Sequence, residues 1–402
     1  MTSSMRQWWR RAAAALKDRR SLLLARLRPR RAGHHRELEA AVIRATSHED
    51  RWMDYRSAAR VFAWARSSPS CLRPAMCALA RRARRTRCWV VALKSLMVAH
   101  GILLRSGLAP SAARAGLVVP FELADFRDRS SFSSSSAARS LAFSAFVRAY
   151  FRFLDYRSHL AAQVDTDGDD AANKCSDDPQ TAFLDRIAKK QFLLDLLLQI
   201  RPYGDGMEVP LVLEAMDCAL IEIFQVYGEI CTGIARFLVS GVQCRPAKPT
   251  MDKAATAEGV KVLWRAVEQG AQLSSYFDLC RGLGVANARK LPAAFVRLKD
   301  DDVRDLERIL MTDIQDDNSD EAEPEPEAEG MAAPADVKDA GPTSTTTTVV
   351  TTTTEWVAFD EENSSAGVVA YDDGGGHVSN HWNPFVAAPS DGREVGNLIE
   401  LF

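Results

Sequence analysis

Long apolar runs are missing from this chain. The longest, 89–104, carries Lys94 and His100 and falls short of the roughly 20 residues that a membrane-spanning helix needs. The apolar string Leu22-Leu23-Leu24-Ala25 is likewise too brief for the core of a secretory signal. The first 36 residues are rich in arginine and hold one acid, Asp18, which leaves a transit peptide as the minor reading of that end. Cys-x-x-Cys pairs are absent. The eight cysteines, at 71, 77, 88, 175, 218, 231, 244 and 280, fall mostly in apolar segments. That spacing argues against a disulfide frame or a zinc site and for reduced, buried thiols in a cytosolic protein. His377 and His381 have a ligand-like spacing, but no cysteine pair accompanies them, so no metal is expected. The acidic stretch 165–178 lacks the closing glutamate of a calcium-binding EF-hand loop. Nor is there a Gly-x-x-x-x-Gly-Lys-Ser/Thr loop, a Gly-x-Ser-x-Gly elbow or a His-Glu-x-x-His helix. Glu222 and Glu229 lie too far apart to form a carboxylate pair on one helical turn. No enzyme and no cofactor are expected. Alternating, strand-period runs are missing as well, which leaves an all-α body.

What the chain does have is an uneven charge. Its 402 residues are 47% hydrophobic, enough for a sizeable core, and its formal charge is only −2. Up to Pro110, however, 24 Lys and Arg stand against 6 Asp and Glu, a formal +18. From Thr312 on, 2 stand against 20, a formal −18. One end should seek polyanions and the other should avoid them. Ordered nucleic-acid motifs are lacking, so a nucleic acid is not the expected partner.

Helical periodicity marks 5–27, 37–46, 56–66, 71–85, 88–105, 121–128, 141–160, 183–200, 209–239 and 253–282. The first of these is amphipathic. Trp9, Ala13, Leu16, Leu23 and Leu27 form a stripe interrupted by Arg20, with Arg6, Arg10, Arg11, Lys17 and Arg19 around it. Tryptophans beside arginines suit a bilayer interface. Phe143, Phe146, Tyr150, Phe153 and Leu154 share one face and read as core. Arg201-Pro202, Pro246 and Pro249 mark helix breaks.

The most informative stretch joins the second helix to the third. Arg44, Arg51 and Arg56 bracket a short polar turn that contains His48. Two helix ends with arginines and a histidine between them make a shallow cationic cup for a multiply charged phosphate. A further cluster, Arg81, Arg82, Arg84 and Arg85, is expected to face the membrane. Near an anionic leaflet each such charge contributes about 1 kcal/mol.

The string Arg44-Ala45-Thr46-Ser47-His48, followed by Arg56, resembles the phosphoinositide-binding turn of the ANTH domain of clathrin assembly proteins, whose pattern is Lys-Ala-Thr-x-His and then a basic cluster. Asp54 stands where that family has lysine, and Ser57 where it has histidine or tyrosine. The run from Thr86 to His100 resembles a helix of plant ANTH domains, and shorter segments extend the resemblance over about residues 35 to 310. It implies an all-α fold in which antiparallel helices stack into a solenoid, followed by a long helical extension and a disordered acidic tail. The expected domains are a basic amphipathic segment (1–34), the solenoid (35–162), an acidic linker (163–180), a second helical part (181–311) and the tail (312–402).

The tail cannot bury enough apolar area to offset its ordering entropy, so its few motifs stand out. Asn383-Pro384-Phe385 is a motif read by EH domains. Leu398-Ile399-Glu400-Leu401-Phe402 is similar to a clathrin box, which docks extended into a groove of the clathrin heavy chain. Phe402 replaces the usual acid. The whole reads as an endocytic adaptor. Arg44, His48, Arg51 and Arg56 would hold a phosphoinositide, and the tail would recruit clathrin and EH-domain proteins at coated pits and vesicles, with the Golgi as a further site. The resemblance further implies a vesicle SNARE as cargo. The alternative is a coat-linking helical scaffold without specific lipid recognition.

Overall fold

The computed structural model describes residues 3–27, 33–105, 119–130, 137–169, 179–243, 253–290 and 300–315. Most of these residues are helical, and none of them forms a strand. In chain order the α-helices are α1 (Ser3–Leu27), α2 (Gly33–Ala45), α3 (Tyr55–Ser67), α4 (Leu72–Thr86), α5 (Trp89–Arg105), α6 (Ala137–Asp169), α7 (Pro179–Leu198), α8 (Pro210–Gln243), α9 (Lys253–Leu283) and α10 (Asp300–Gln315). Most pack mainly on their neighbours in the chain, in the manner of a helical solenoid, while α9 packs chiefly on α7.

Helix α5 is the axis of the first half. Every residue from Val90 to Leu103 is buried, including Lys94, Ser95 and His100. It touches α2, α3, α4, α6 and α8, so it is apolar all round rather than on one stripe. Trp89 at its start stacks on Phe143 of α6, with ring centroids 3.9 Å apart. Phe146, Tyr150, Phe153 and Leu154 are buried with it, as their spacing predicts. A buried ionic cluster crosses this core. Glu222 of α8 pairs with Arg157 of α6 at 2.5 Å and approaches His100 at 3.5 Å, and His100 Nδ1 lies 2.8 Å from the Tyr150 hydroxyl. Burial pushes the Glu222 carboxyl up, but the His100 hydrogen bond and the Arg157 charge outweigh it and hold it low. His100 is thus a core histidine, and Glu222 bridges helices. Glu229, exposed, pairs instead with Lys190 at 3.0 Å.

The second half is a layer of three long helices, α7, α8 and α9. Helix α8 is long and apolar enough to cross a membrane, yet 61% of its most apolar window is buried inside the fold, as in a core helix. Two glycines allow close approach. A Cβ on Gly233 would lie 2.9 Å from Ile187, and one on Gly259 would lie 2.3 Å from the Phe237 ring. Among the described cysteines none is bonded to another, and Cys88, Cys218, Cys231 and Cys280 are buried. Burial pushes the Cys231 thiol up to about 11 and the Cys280 thiol up to about 12.

Three elements differ from the sequence reading. Residues 121–128 are not a helix. Pro120 precedes them, and Val119, Phe121 and Leu123 are buried while Pro120, Glu122 and Ala124 are exposed, which is the alternation of an extended strap. Its last residue, Asp128, accepts the Trp89 backbone N–H at 3.1 Å and so caps α5 from a distance. Helix α6 runs on to Asp169, into the segment expected as linker. Helix α10 was not anticipated. Asp300, Asp301 and Asp302 in its first turn complement the helix dipole, and Val303 is its buried anchor.

Candidate anion-binding site

The turn between α2 and α3 is tied at three points. At its start, the Thr46 backbone N–H and hydroxyl both reach the Val42 carbonyl, at 3.0 and 2.7 Å. In its middle, the buried Lys94 ammonium rises from α5 and donates to Glu49 O at 2.6 Å, Trp52 O at 2.5 Å and Ser47 Oγ at 3.3 Å. Burial pulls that ammonium down to about 8, against the charges of Glu49, Asp18, Asp50 and Asp54. At its end, Asp54 caps α3, accepting the Ser57 N–H at 3.1 Å and the Ser57 hydroxyl at 2.7 Å. The two positions that depart from the ANTH pattern are therefore partners of each other.

The turn holds an anion, and the anion belongs to the chain itself. The Asp18 carboxylate of α1 accepts the His48 backbone N–H at 2.9 Å and lies 2.7 Å from His48 Nδ1. It also accepts a short hydrogen bond from Arg82 Nη2. Arg82 is fixed in turn by Thr46 Oγ1 at 3.0 Å, Thr46 O at 3.1 Å and Ser21 Oγ at 3.1 Å. Burial alone would raise Asp18, but the His48 hydrogen bonds and the His48 and Arg82 charges prevail and lower it.

This arrangement sorts the expected site residues. Arg44, Arg51 and Arg56 are exposed, and no other described residue engages their guanidinium groups. His48 differs. Its side chain is 8% exposed and shares the Asp18 carboxylate with Arg82. Arg82 corrects the sequence reading. Expected to face a membrane, its side chain is 6% exposed, because it points inward beneath α1. Arg81 pairs with Glu39 of α2 at 3.6 Å, and Arg84 with Glu122 at 3.8 Å; Arg85 is exposed. The motifs 383–385 and 398–402, and the histidines at 377 and 381, lie outside the described residues. Among the described residues no His, Cys, Asp and Glu group could hold a metal ion.

Sequence reasoning missed Asp18 and Lys94 as parts of the site. Asp18 left a signal, as the lone acid in the first 36 residues. Lys94 left one too, as a base midway along an apolar helix that holds no acid to pair it.

Helix α1 meets the body through one face. Ala25 is buried, and Ala14, Asp18, Ser21 and Leu22 are half-buried. At 100° per residue, Trp9, Leu16, Leu23 and Leu27 lie roughly opposite Asp18. They are exposed by 58%, 69%, 56% and 79%. The apolar stripe thus points away from the fold.

A family model described as "ANTH domain" matches residues 37–309. Three Arabidopsis thaliana proteins, each named "Putative clathrin assembly protein" with a locus name, are similar over most of their length. At1g25240 is 40% identical over 75% of this chain and 76% of its own length. At1g68110 is 40% identical over 76% and 77%, and At1g14686 is 37% identical over 76% and 83%.

Proposed function

We propose, from the premise that this chain belongs to the ANTH domain family, that it is a non-enzymatic adaptor in clathrin-coat assembly. Its helical body docks on a phosphoinositide-bearing leaflet, and its C-terminal tail recruits the coat. Arg44, Arg51 and Arg56 supply open guanidinium groups for the head group. Arg85, with the more loosely paired Arg81 and Arg84, adds attraction to the leaflet that fades within a Debye length of about 8 Å at physiological salt. Asn383-Pro384-Phe385 engages EH-domain proteins, and Leu398-Ile399-Glu400-Leu401-Phe402 engages the clathrin heavy chain. Each contact is weak alone and gains by multivalency beneath a coat. Vesicle SNAREs bind along the helices as cargo, at coated pits and vesicles and at the Golgi.

One observation supports the lipid reading most: the α2–α3 turn already holds a carboxylate between a backbone N–H, an imidazole and a guanidinium. Such a donor set suits a phosphate equally well. Co-sedimentation of the full chain with phosphatidylcholine vesicles, with and without phosphatidylinositol 4,5-bisphosphate, tests it. Binding should require the phosphoinositide; equal binding to both would contradict it. A second reading, a coat-linking scaffold without head-group recognition, draws support from the Asp54–Ser57 cap, which occupies two positions that are basic or aromatic in the family pattern. That reading expects no difference between the two vesicle types.

A further inference from the structure

Helix α1 is held to the body by the wrong face for a simple packing helix. Most of its large apolar residues face out, while a single carboxylate, one serine hydroxyl, Leu22 and small side chains face in. The inward group, Asp18, satisfies donors that otherwise have no counter-charge among the described residues: the His48 backbone N–H, the His48 ring and the buried Arg82 guanidinium.

We propose that His48 and Arg82 form an inner phosphate subsite, that Asp18 fills it in the free protein, and that α1 is a latch displaced when a phosphomonoester of an anionic lipid takes the place of that carboxylate. The inference rests on the phosphoinositide reading above and adds to it a covered subsite and its control.

Three physical arguments carry it. First, the exchange is anion for anion. Arg82 is buried, and removing Asp18 alone would leave an uncompensated buried charge, which is strongly unfavourable. The latch therefore stays closed until another anion arrives. Second, the replacement is chemically apt. A phosphomonoester offers three acceptor oxygens and more charge than a carboxylate, so it can serve all the donors that Asp18 serves. Third, the outward face provides a handle. Trp9, Leu16, Leu23 and Leu27, flanked by Lys17, Arg19 and Arg20, fit the boundary of an anionic bilayer. A membrane can draw α1 away while it delivers the competing phosphate. A free inositol phosphate lacks that pull and must displace Asp18 unaided. Occupancy of the subsite by Asp18 lowers apparent affinity by the fraction of molecules that are open.

The test uses the full chain in three forms: unaltered, Asp18→Asn, and the paired exposed-stripe variant Leu16→Ser with Leu23→Ser. Calorimetry with soluble inositol 1,4,5-trisphosphate reads the subsite without a bilayer. Sedimentation with phosphatidylcholine vesicles containing phosphatidylinositol 4,5-bisphosphate reads the whole device. Asp18→Asn should bind the soluble ligand at least about fivefold tighter than the unaltered chain, as expected when the closed fraction is removed. The stripe variant should match the unaltered chain on the soluble ligand and bind the vesicles more weakly. Hydrogen exchange of Asp18→Asn should show faster exchange in α1 with α5 and α8 unchanged, so that loosening of the latch is separated from loss of the fold. If Asp18→Asn binds the soluble ligand no tighter while α5 and α8 stay protected, the latch is refuted, even if the vesicles are bound. If no form binds vesicles containing the phosphoinositide, the underlying lipid reading fails with it. Equal vesicle binding by the stripe variant would refute the handle.

Discussion

At the scale of single residues the site is built from side chains whose roles depend on what lies beneath them. Asp54 shows this most clearly. In the ANTH pattern its position is basic, and here it is a helix cap bound to Ser57. Asp54→Lys should strengthen binding to phosphoinositide vesicles and steepen its loss with salt, because the change removes one negative charge and adds one positive charge at the turn. It should also cost about 1 kcal/mol of stability through the lost cap, measurable by urea denaturation. Lys94 is a second case. Lys94→Met would keep most of the volume but strip Glu49 O and Trp52 O of their donor. Each lost hydrogen bond from these part-buried carbonyls should cost about 1 kcal/mol, so the variant should melt lower and bind vesicles more weakly. Glu214 gives a pH signature. Burial pushes its carboxyl up to about 8, whereas an unfolded glutamate titrates near about 4.3. Between those values the folded chain holds a proton that the unfolded chain has released, so stability should fall as pH rises from about 4 to about 8. Glu214→Gln should flatten that decline in denaturation curves taken across this range.

At the scale of elements the sequence was most legible where periodicity is strong. Helices α3, α4, α5 and α9 begin and end within about a residue or two of their sequence bounds, because the helical spacing of their apolar residues is strong. The strap at 119–128 was misread because Phe121, Leu123 and Phe126 allow either a short helix or an extended run, and only packing against α5 and α6 decides between them. Arg82 was misread for a related reason. A run of five arginines in seven residues looks uniformly solvated, yet one of them points inward beneath a helix some 60 positions earlier, a pairing that local pattern does not reveal. The outward stripe of α1 was visible in sequence, but not the direction it faces. Close packing between elements is similarly silent. Gly259→Ala would drive a methyl group into the Phe237 ring, 2.3 Å from the ideal position. That overpacking should cost roughly 1–3 kcal/mol and lower the melting temperature without altering the turn.

At the scale of the whole molecule, the proposed function divides its two tasks along the charge gradient. The formal +18 up to Pro110 lies on the part that carries the turn, and the formal −18 from Thr312 on lies on the part that carries the motifs proposed to engage the coat. An acidic tail is repelled by the leaflet that attracts the basic end. A chain ending before Asn383 should therefore bind phosphoinositide vesicles as the full chain does while failing to retain clathrin in a pull-down. Fold and family were legible because they rest on short strings such as Arg44–His48 and Thr86–His100. The internal anion was not, because it joins residues 30 and 64 positions apart. The account's central claim is that one chain couples a phosphoinositide surface to clathrin. Sedimentation of purified clathrin with vesicles containing phosphatidylinositol 4,5-bisphosphate tests it most directly. Clathrin should pellet only when the full chain is present, and should stay in solution when Arg44, Arg51 and Arg56 are all changed to alanine. Clathrin pelleting equally well with that triple variant, or never pelleting with the unaltered chain, would contradict the account.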